Sequence, residues 1–307
     1  MTVAVCIVGF RNAEDIAHCL TALGRSTYAD YEVVICENGG TAAFSELVDI
    51  LPTALPGGQP VQTILAAGNL GFAGGVNVCM NARPLASAWW ILNPDAQPDP
   101  DALSELVARL AEGDADAVAG TLYLPGQIVQ AHGGHWRRWL GRPVSMGRND
   151  PLGEAPARDA IEPRLTYLLG ASMLIGPRFV ERAGLMREDY FLYGEEIEWC
   201  LRALARGARL GFAPAARVLH TQGSTTGSAD GIRNRPRLPI YLDERNKLNI
   251  VRDVDPWRLP VAIPATLVLL TARFARRGAW PQWRWALSGW WSGVLGRRGV
   301  PAWLSQE

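Results

Sequence analysis

The first 118 residues alternate between apolar runs and segments with helical spacing. The apolar runs, which are typical of strands buried on both faces, lie at residues 3–10, 31–36, 61–65 and 88–92. Apolar residues recur at helical spacing in residues 12–23, 44–51, 75–80 and 102–111. Because strands and helices that alternate at short intervals form βαβ units, the sequence predicts an α/β fold with a mostly parallel central sheet flanked by helices.

The pattern becomes less regular after residue 118. Residues 124–163 are rich in Gly, Pro and Arg and predict a long irregular excursion. The elements predicted beyond it are a strand at 167–175, helices at 177–183 and 195–206, and short strands at 210–213 and 217–220. Residues 222–238 are rich in Gly, Ser, Thr and Arg, which predicts a mobile loop.

The C-terminal region differs in charge and aromatic content. Residues 231–307 hold 13 Arg and Lys against 5 Asp and Glu, a net charge of +8, so the rest of this neutral chain carries −8. An apolar stretch at 259–275 is followed by Trp residues interleaved with Arg, a combination that favours a membrane interface. We therefore predict an amphipathic helical region on a membrane surface. A helical cap packed on the domain and a membrane-spanning helix are the alternatives, although the stretch is short for spanning.

Composition narrows the class of protein. A hydrophobic fraction of 48% and a charged fraction of 20% exclude a largely disordered chain. The zero net charge gives no argument for nucleic acid, and we expect no such partner. The five scattered cysteines predict neither disulfides nor a zinc site and indicate a reducing compartment. No basic segment precedes the first apolar run, so we expect no signal peptide and a cytoplasmic location.

The segment Asn93-Pro94-Asp95 follows the predicted strand at 88–92. In open α/β sheets, ligands bind beyond the carboxyl ends of the strands. A carboxylate there can hold Mg²⁺ or Mn²⁺, which take oxygen ligands and bridge to phosphate oxygens. Asn, Pro and Asp also form turns, so a plain turn is the simpler explanation of this segment taken alone.

A glycine-rich segment at residues 69–77 precedes a predicted helix. Glycines permit close approach of the backbone to a ligand, and a helix N-terminus suits an anion. The spacing is not that of the dinucleotide fingerprint, and the segment does not follow the first strand. A phosphate-binding loop and a plain loop both remain open here.

Two further segments carry ionisable side chains. Glu195, Glu196 and Glu198 crowd the start of a helix, where the helix dipole favours acids, but one of them could also serve as a general base. His220 ends a short predicted strand. A neutral imidazole there could complete a metal site, and a structural role is the alternative.

Taken together and in this order, the four segments resemble the family 2 glycosyltransferases of the GT-A fold, and in particular their bacterial rhamnosyltransferase-like branch. The resemblance covers roughly residues 2–250 and rests on Asn-Leu-Gly-Phe-Ala-Gly-Gly, Leu-Asn-Pro-Asp-Ala, Phe-Leu-Tyr-Gly-Glu-Glu and Val-Leu-His. It implies a GT-A catalytic domain over residues 1–250, with a nucleotide-sugar-binding half at 1–118 and an acceptor-binding half at 119–250. The Trp/Arg-rich helical region then occupies residues 251–307.

The resemblance also implies a donor site. Asp95 matches the metal-binding aspartate, Asn93 takes the place of that motif's first acid, and His220 matches a histidine that helps to hold metal or diphosphate. The other positions that match the nucleotide site are Phe10, Arg11, Asn12, Glu37, Asn38, Asn69, Gly71, Gly74, Asn77 and Arg245. The implied cofactor is Mg²⁺ or Mn²⁺, and the implied donor is a dTDP- or UDP-sugar.

The acceptor side departs from the family in one position. Gly170, Ala171 and Ser172 match the segment under the acceptor, and we place Trp199 with them. The usual base is the aspartate of a Glu-Asp pair, whereas Glu196 stands there in this chain. We expect Glu196, with Glu195 as second choice, to deprotonate the acceptor hydroxyl, although the longer side chain can misplace the carboxylate.

The resemblance thus predicts an inverting glycosyltransferase that moves rhamnose or a hexose to a saccharide or a polyprenyl-diphosphate-linked acceptor in bacterial surface polysaccharide biosynthesis. We expect it on the cytoplasmic face of the inner membrane, and a homodimer is a further expectation. The main alternative is a catalytically weak nucleotide-sugar-binding subunit of a polysaccharide assembly complex. A nucleotidyltransferase would want a more basic, Gly-rich loop than residues 9–12 provide.

Overall fold

The computed structural model describes residues 1–221 and 231–304, so most of the predicted loop at 222–238 lies outside the described residues. In the N-terminal half, the predicted order of strands and helices is confirmed. The elements are β1 (Val3–Gly9), α1 (Ala13–Leu23), β2 (Tyr31–Glu37), α2 (Thr41–Ile50), β3 (Val61–Leu65), α3 (Gly71–Ala82), β4 (Ala88–Leu92), β5 (Ala96–Pro98) and α4 (Ala102–Ala111). The main difference is that α3 begins four residues earlier than predicted and includes the glycine-rich segment.

The excursion after residue 124 is more regular than predicted. The elements of this half are β6 (Ala117–Leu124), β7 (Ile128–Ala131), β8 (Gly134–Arg137), β9 (Arg142–Ser145), α5 (Arg158–Ile161), β10 (Ser172–Ile175), α6 (Pro177–Ala183), α7 (Glu195–Ala205) and β11 (Leu210–His220). Single 3₁₀ turns lie at Glu162–Arg164, Glu188–Tyr190 and Pro256–Arg258. Strands β8 and β9 form a separate antiparallel hairpin whose alternation is too short to stand out in the sequence.

The predicted sheet is only partly parallel, because β11 pairs in parallel with β6 but other strands of the second half pair antiparallel. In the part of the chain that the structure describes, the strand order is β3-β2-β1-β4-β10-β6-β11-β5, with β7 also paired to β6. Strands β1 to β4 pair in parallel, whereas β10 runs antiparallel to both of its neighbours and β5 runs antiparallel to β11. The mixed α/β class is therefore confirmed, and the antiparallel strands bring distant chain segments to the end of β4.

Three predicted strands have different bounds in the structure. The predicted strand at 167–175 is regular only from Ser172, because the first residues of the segment bond to other elements: Tyr167 to Gly134 of β8, and the Leu168 N–H to Sγ of Cys200 in α7. The two predicted strands at 210–213 and 217–220 form the single strand β11, with a register shift between Phe212 and Arg217. Pro214, which has no N–H to donate to the ladder, lies within that shift.

The C-terminal region forms three helices, α8 (Arg237–Val254), α9 (Leu259–Ala275) and α10 (Trp280–Val294). Helix α10 packs closely on α8, because a Cβ added to Gly289 would lie 2.2 Å from the carbonyl oxygen of Tyr241. The indole N–H of the buried Trp290 donates to the Ile263 carbonyl oxygen of α9. The predicted boundary at residue 250 falls inside α8, and buried residues of all three helices share one core with the sheet.

Helix α9 is buried along one stripe only. Ala262, Thr266, Leu270 and Phe274 are buried, while Val261 and Val268 on the other side are 46% and 67% exposed. Among the described residues, one helical segment, Pro256–Ala275, is long and apolar enough to cross a membrane by length and composition, and only 22% of its apolar window is buried. Both the docked cap and the exposed apolar face that the sequence suggested are therefore present.

Candidate functional site

The predicted metal residues Asp95 and His220 lie side by side. Asp95 is in the turn between β4 and β5, and His220 is the last residue of β11, which pairs with β5. Nε2 of His220 lies 3.2 Å from Oδ1 of Asp95 and 3.2 Å from Nδ2 of Asn93. Thr221 fixes this arrangement by donating its N–H and hydroxyl to the carbonyl oxygen of Asp95.

Gln130 orients the imidazole of His220. Nδ1 of His220 lies 2.8 Å from Oε1 of Gln130, so an Nδ1–H donates to that oxygen. In the neutral tautomer this makes Nε2 an acceptor for the Nδ2–H of Asn93, 3.2 Å away, and places the Nε2 lone pair beside Asp95. A carboxylate oxygen and an imidazole nitrogen with an oriented second nitrogen form a donor set that suits Mg²⁺ or Mn²⁺.

The protein's own donor set is small. In residues 1–221 and 231–304, no group of three or more His, Cys, Asp or Glu side chains could hold a metal ion. The neighbouring side chain, Asn93, is an amide and carries no negative charge. A cation held here by Asp95 and His220 would therefore take its remaining ligands from a bound diphosphate and water, as Mg²⁺ commonly does.

The loop after β1 is supported from below by Glu37. Oε1 of Glu37 accepts hydrogen bonds from the N–H groups of Arg11 and Gly39, at 3.0 Å and 2.7 Å. Asn12 accepts from the N–H of Phe10, and Arg11 is exposed with φ +56°. The predicted direct contact of Glu37 with a nucleotide is contradicted, because the residue is 1% exposed and its carboxylate holds the loop. Phe10, Arg11 and Asn12 remain accessible.

Asn38 joins this region to the glycine-rich segment. Its Nδ2 donates to the carbonyl oxygen of Gly71 across 2.9 Å, and its Oδ1 accepts from the N–H of Leu70. Gly71 has φ +70°, and a Cβ there would lie 2.0 Å from the carbonyl oxygen of Phe191. Asn38 and Gly71 are buried, so they shape the wall and do not present ligand-binding groups, whereas Asn69 is exposed.

Two further predicted nucleotide contacts are contradicted by packing. Gly74 is buried in α3, and a Cβ there would lie 2.6 Å from Cβ of Leu70. The amide of Asn77 is buried, donates to the Met186 carbonyl oxygen and accepts from the Met186 N–H. Both residues serve the packing of α3, and neither faces a ligand.

Glu196 and Glu195 begin α7 but have different surroundings. Glu195 is 2% exposed, its Oε2 has no hydrogen-bond partner in the part of the chain described, and burial raises its pKa to about 8. Glu196 is partly exposed and lines a cavity, and burial of its carboxyl is the main cause that raises its pKa as well. The second-choice base, Glu195, is therefore contradicted by burial, and Glu196 is the carboxylate of this pair that lines the cavity.

The backbone before Glu195 is held in a strained form by Asn246. Phe191 and Tyr193 have φ values of +68° and +70°, which non-glycine residues seldom adopt. Nδ2 of Asn246 lies 2.9 Å from the carbonyl oxygen of Leu192 and 2.7 Å from that of Tyr193. Strain that is held by a buried amide is typical of functional sites, and here it fixes where α7 begins.

Arg245, next to Asn246, does not contact phosphates. Its guanidinium is 1% exposed and donates to the Tyr190 and Gly299 carbonyl oxygens and to the Asn246 side chain. Burial lowers the pKa of Arg245. The predicted nucleotide contact is contradicted, because every nitrogen of the guanidinium already bonds within the protein.

The predicted acceptor segment reaches the site only at Gly170. A Cβ added to Gly170 would lie 3.8 Å from Cβ of Glu196. Ala171 and Ser172 are buried, and the Ser172 hydroxyl accepts from the indole of Trp90. Trp199 is fully buried, and its indole N–H donates to the Gly184 carbonyl oxygen. The acceptor role predicted for Ala171, Ser172 and Trp199 is therefore contradicted.

A cavity of about 350 Å³ lies beside Glu196. Its walls come from the β8–β9 hairpin, residues 167–169, the start of α7, and α8. The sequence analysis missed the lining residues Trp136, Arg142, Arg148, Tyr167 and Lys247, as well as Gln130 at the metal residues. The Arg content of residues 124–163 was the available signal, but the spacing of those residues did not show which of them face the cavity.

The chain is similar in sequence to known proteins. Residues 4–157 match the family model for glycosyl transferase family 2. The chain is similar to the low-salt glycan biosynthesis hexosyltransferase Agl10 of Haloferax volcanii, with 21% identity over 247 residues that cover 80% of this chain and 73% of that protein.

Solved structures share the fold. Residues 1–349 of TarS from S. aureus align with a TM-score of 0.60 and 14% identity, covering 96% of this chain and 81% of that one. GalNAc-T7, solved with UDP, GalNAc and Mn²⁺, aligns with a TM-score of 0.58 and 18% identity, covering 77% of this chain and 47% of that one. The predicted GT-A fold is confirmed. Since the family model matches half of its residues, the chain belongs to glycosyl transferase family 2.

Proposed function

We propose that this glycosyltransferase is metal-dependent and inverting and uses a nucleotide diphosphate sugar as donor. The observation that carries the proposal is the 3.2 Å approach of His220 Nε2 to Asp95 Oδ1 at the carboxyl end of β4. Nucleotides and cations bind at this end of open α/β sheets. The base, Glu196, lies beside Gly170, one residue before the Ala171 carbonyl that bonds to Asn93.

Known relatives support the class of donor. TarS has been solved with UDP-GlcNAc, and GalNAc-T7 with UDP, GalNAc and Mn²⁺. The Haloferax relative is named a hexosyltransferase. We therefore place a UDP-hexose first among donors, and a dTDP-linked rhamnose, which the branch resemblance suggests, second.

In the proposed reaction, Glu196 accepts the proton of the acceptor hydroxyl. That oxygen forms a bond to the anomeric carbon while the bond from this carbon to the diphosphate breaks on the opposite face, which inverts the configuration. Asp95 and His220 would hold the divalent cation, which when bound neutralises charge on the diphosphate. Phe10, Arg11, Asn12 and Asn69 are the accessible residues beside the nucleotide.

Donor hydrolysis tests the proposal without knowledge of the acceptor. The wild-type protein with Mn²⁺ should slowly release UDP or dTDP from one member of a nucleotide-sugar panel. Asp95→Ala should lower this rate by about 10²-fold or more, the loss expected when charge stabilisation is removed. Asp101→Ala, at the exposed start of α4, is the matched control and should retain the rate. Equal hydrolysis with chelator and with Mn²⁺ would contradict the metal dependence.

A catalytically weak nucleotide-sugar-binding subunit is the second candidate. Two observations favour it: Asn93 stands where a second carboxylate would strengthen the metal site, and Glu196 stands where an aspartate is usual. Such a subunit would bind the nucleotide with Mn²⁺ but would not cleave any donor of the panel.

The acceptor and location are also proposals. The exposed side of α9, with Val261 and Val268, and the exposed Trp257, Trp280 and Trp291 support a peripheral position on the cytoplasmic face of a membrane, as does the net positive charge of residues 231–307. A membrane position suits a saccharide acceptor linked to a polyprenyl diphosphate, in the synthesis of a surface polysaccharide. The homodimer stays a prediction.

A further inference from the structure

The cavity beside Glu196 has two cationic side chains without a counter-ion. Arg142 and Arg148 both line it, both are exposed, and neither has an ion pair within residues 1–221 and 231–304. The third cation of the lining, Lys247, is different. Its Nζ lies 3.0 Å from Asp243 and 2.8 Å from Glu244, so its charge is already compensated.

The two guanidinium groups therefore set the charge that the cavity presents to a ligand. The acids of the lining are Glu196 and Asp243, of which Asp243 is compensated by Lys247. A guanidinium offers a planar fork of donors that matches phosphate oxygens. The nearly buried rings of Trp136 and Tyr167 are also among the residues that line the cavity.

The hairpin that carries Arg142 is anchored to the C-terminal helices. A Cβ on Gly141 would lie 3.1 Å from Thr266 of α9, and Arg138 forms an ion pair with Asp255 at 2.8 Å. The rings of Trp139 and Trp257 meet edge to face at 5.0 Å. Arg142 thus follows a hairpin turn that packs on the buried side of α9, the helix whose outer side is apolar.

We propose that Arg142 and Arg148 bind a phosphate or diphosphate group of the acceptor, so that a hydroxyl of the same molecule is presented to Glu196. This inference rests on the proposed function, since it assigns the cavity to the acceptor. The ligand that the two arginines would recognise is a phosphoester close to a hydroxyl, a chemistry that two kinds of acceptor share. It can come from a lipid-linked sugar, whose chain would extend towards α9, or from a phosphate-containing polymer without lipid.

Direct binding of simple phosphates tests the inference. The full chain, saturated with UDP and Mn²⁺ to fill the nucleotide site, is titrated with farnesyl phosphate and with glycerol 1-phosphate by calorimetry. Farnesol and glycerol are the uncharged controls. The variants are Arg142→Gln/Arg148→Gln and, as matched control, Arg137→Gln, an exposed residue of β8 that does not line the cavity. Thermal unfolding checks that each variant is folded.

We expect the wild-type chain to bind at least one phosphate and neither uncharged control, with affinity that falls as salt rises. The affinity of the double variant for phosphate should be about tenfold lower or more, which is the loss expected when charge-assisted hydrogen bonds are removed. Arg137→Gln should bind as tightly as the wild type. Preference for farnesyl phosphate would identify a lipid source, and preference for glycerol phosphate a non-lipid one. The inference is overturned if the wild type binds neither phosphate, or if the double variant binds as tightly as wild type.

The readout separates this inference from the proposed function. Phosphate binding requires no turnover, so a chain that binds phosphate through Arg142 and Arg148 but cleaves no donor would retain the ligand assignment and lose the transferase mechanism. A chain that cleaves a donor but binds no phosphate would retain the transferase mechanism and lose the ligand assignment.

Discussion

Asn93 donates its backbone N–H to the carbonyl oxygen of Ala171 across 3.0 Å. This bond extends the pairing of β4 with β10, in which Ser172 lies opposite Leu92. Asn93, the donor of the bond, lies two residues before Asp95. Ala171, the acceptor, follows Gly170, which lies beside Glu196. The separation of the proposed cation residues from Glu196, the proposed base, is therefore set by strand pairing in the core, which is the rigid support that a transfer site requires.

Gln130 should tune metal affinity without touching the metal. Gln130→Leu removes the acceptor for Nδ1–H of His220, so the imidazole loses the hydrogen bond that orients it. We expect affinity for Mn²⁺, measured in the presence of UDP by electron paramagnetic resonance, to fall by about 10- to 100-fold. Gln62→Leu, on β3 and exposed, is the control and should bind Mn²⁺ as wild type does. Unchanged affinity in Gln130→Leu would remove His220 from the metal site.

The pH profile of donor hydrolysis should report Glu196. Because burial raises its pKa, the rate should fall on acidification at a pH above the ordinary glutamate value of about 4.3. Asp243, whose pKa is held down at about 2 by Lys247 and nearby arginines, stays ionised and contributes to that raised pKa. Asp243→Asn should therefore move the acid limb to lower pH, while Asp49→Asn on the exposed side of α2 should not. A limb unmoved by Asp243→Asn would argue against Glu196 as the base.

Glu195 should make folding less favourable as pH rises. Its folded pKa of about 8 exceeds the unfolded value of about 4.3, so between these pH values the unfolded chain binds fewer protons and stability falls with pH. Glu195→Gln should abolish this loss, with a stability advantage that grows from pH 5 to pH 8 at up to about 1.4 kcal/mol per unit and then levels off. Urea denaturation at several pH values measures it, with Glu46→Gln as exposed control. A constant advantage at all pH values would contradict the raised pKa.

The sequence predicted the N-terminal half well because strands buried on both faces are continuous apolar runs, as at Val3–Gly9. The family resemblance also placed Asp95 and His220 in one site, and the pairing of β11 with β5 brings the two side chains together. It assigned ligand roles to Asn77, Ser172 and Arg245, which are buried, because motif spacing does not show which way a side chain points. It missed Gln130, because a contact between residues 90 apart in sequence leaves no local pattern.

Arg245 should matter for stability and not for donor binding. Arg245→Met removes the guanidinium donors to the Gly299 carbonyl oxygen and to Oδ1 of Asn246, and it leaves the Tyr190 carbonyl oxygen with Nδ2 of Asn246 alone. We therefore expect the free energy of unfolding to fall by about 2–4 kcal/mol. Because Arg245 is buried away from the donor, the KM for donor of the remaining folded protein should stay within about twofold. A lost phosphate contact worth 1.4 kcal/mol of binding free energy would instead raise it about tenfold. Arg276→Met, exposed at the end of α9, is the control for loss of charge. A large rise in donor KM with unchanged stability would restore the phosphate-contact role.

The exposed side of α9 should carry the proposed membrane contact. Removal of the region is a poor test, because α8 to α10 share their core with the sheet and truncation would expose it. Val268→Glu changes the most exposed apolar residue of α9 and adds a negative charge, so co-sedimentation with anionic phosphatidylglycerol vesicles should fall by about tenfold. Leu85→Glu is the matched control, because Leu85 is 96% exposed between α3 and β4, far from α9 in the chain. Equal pelleting of wild type and Val268→Glu would place any membrane contact elsewhere. Pelleting that is also insensitive to vesicle charge would remove the role of the basic C-terminal region.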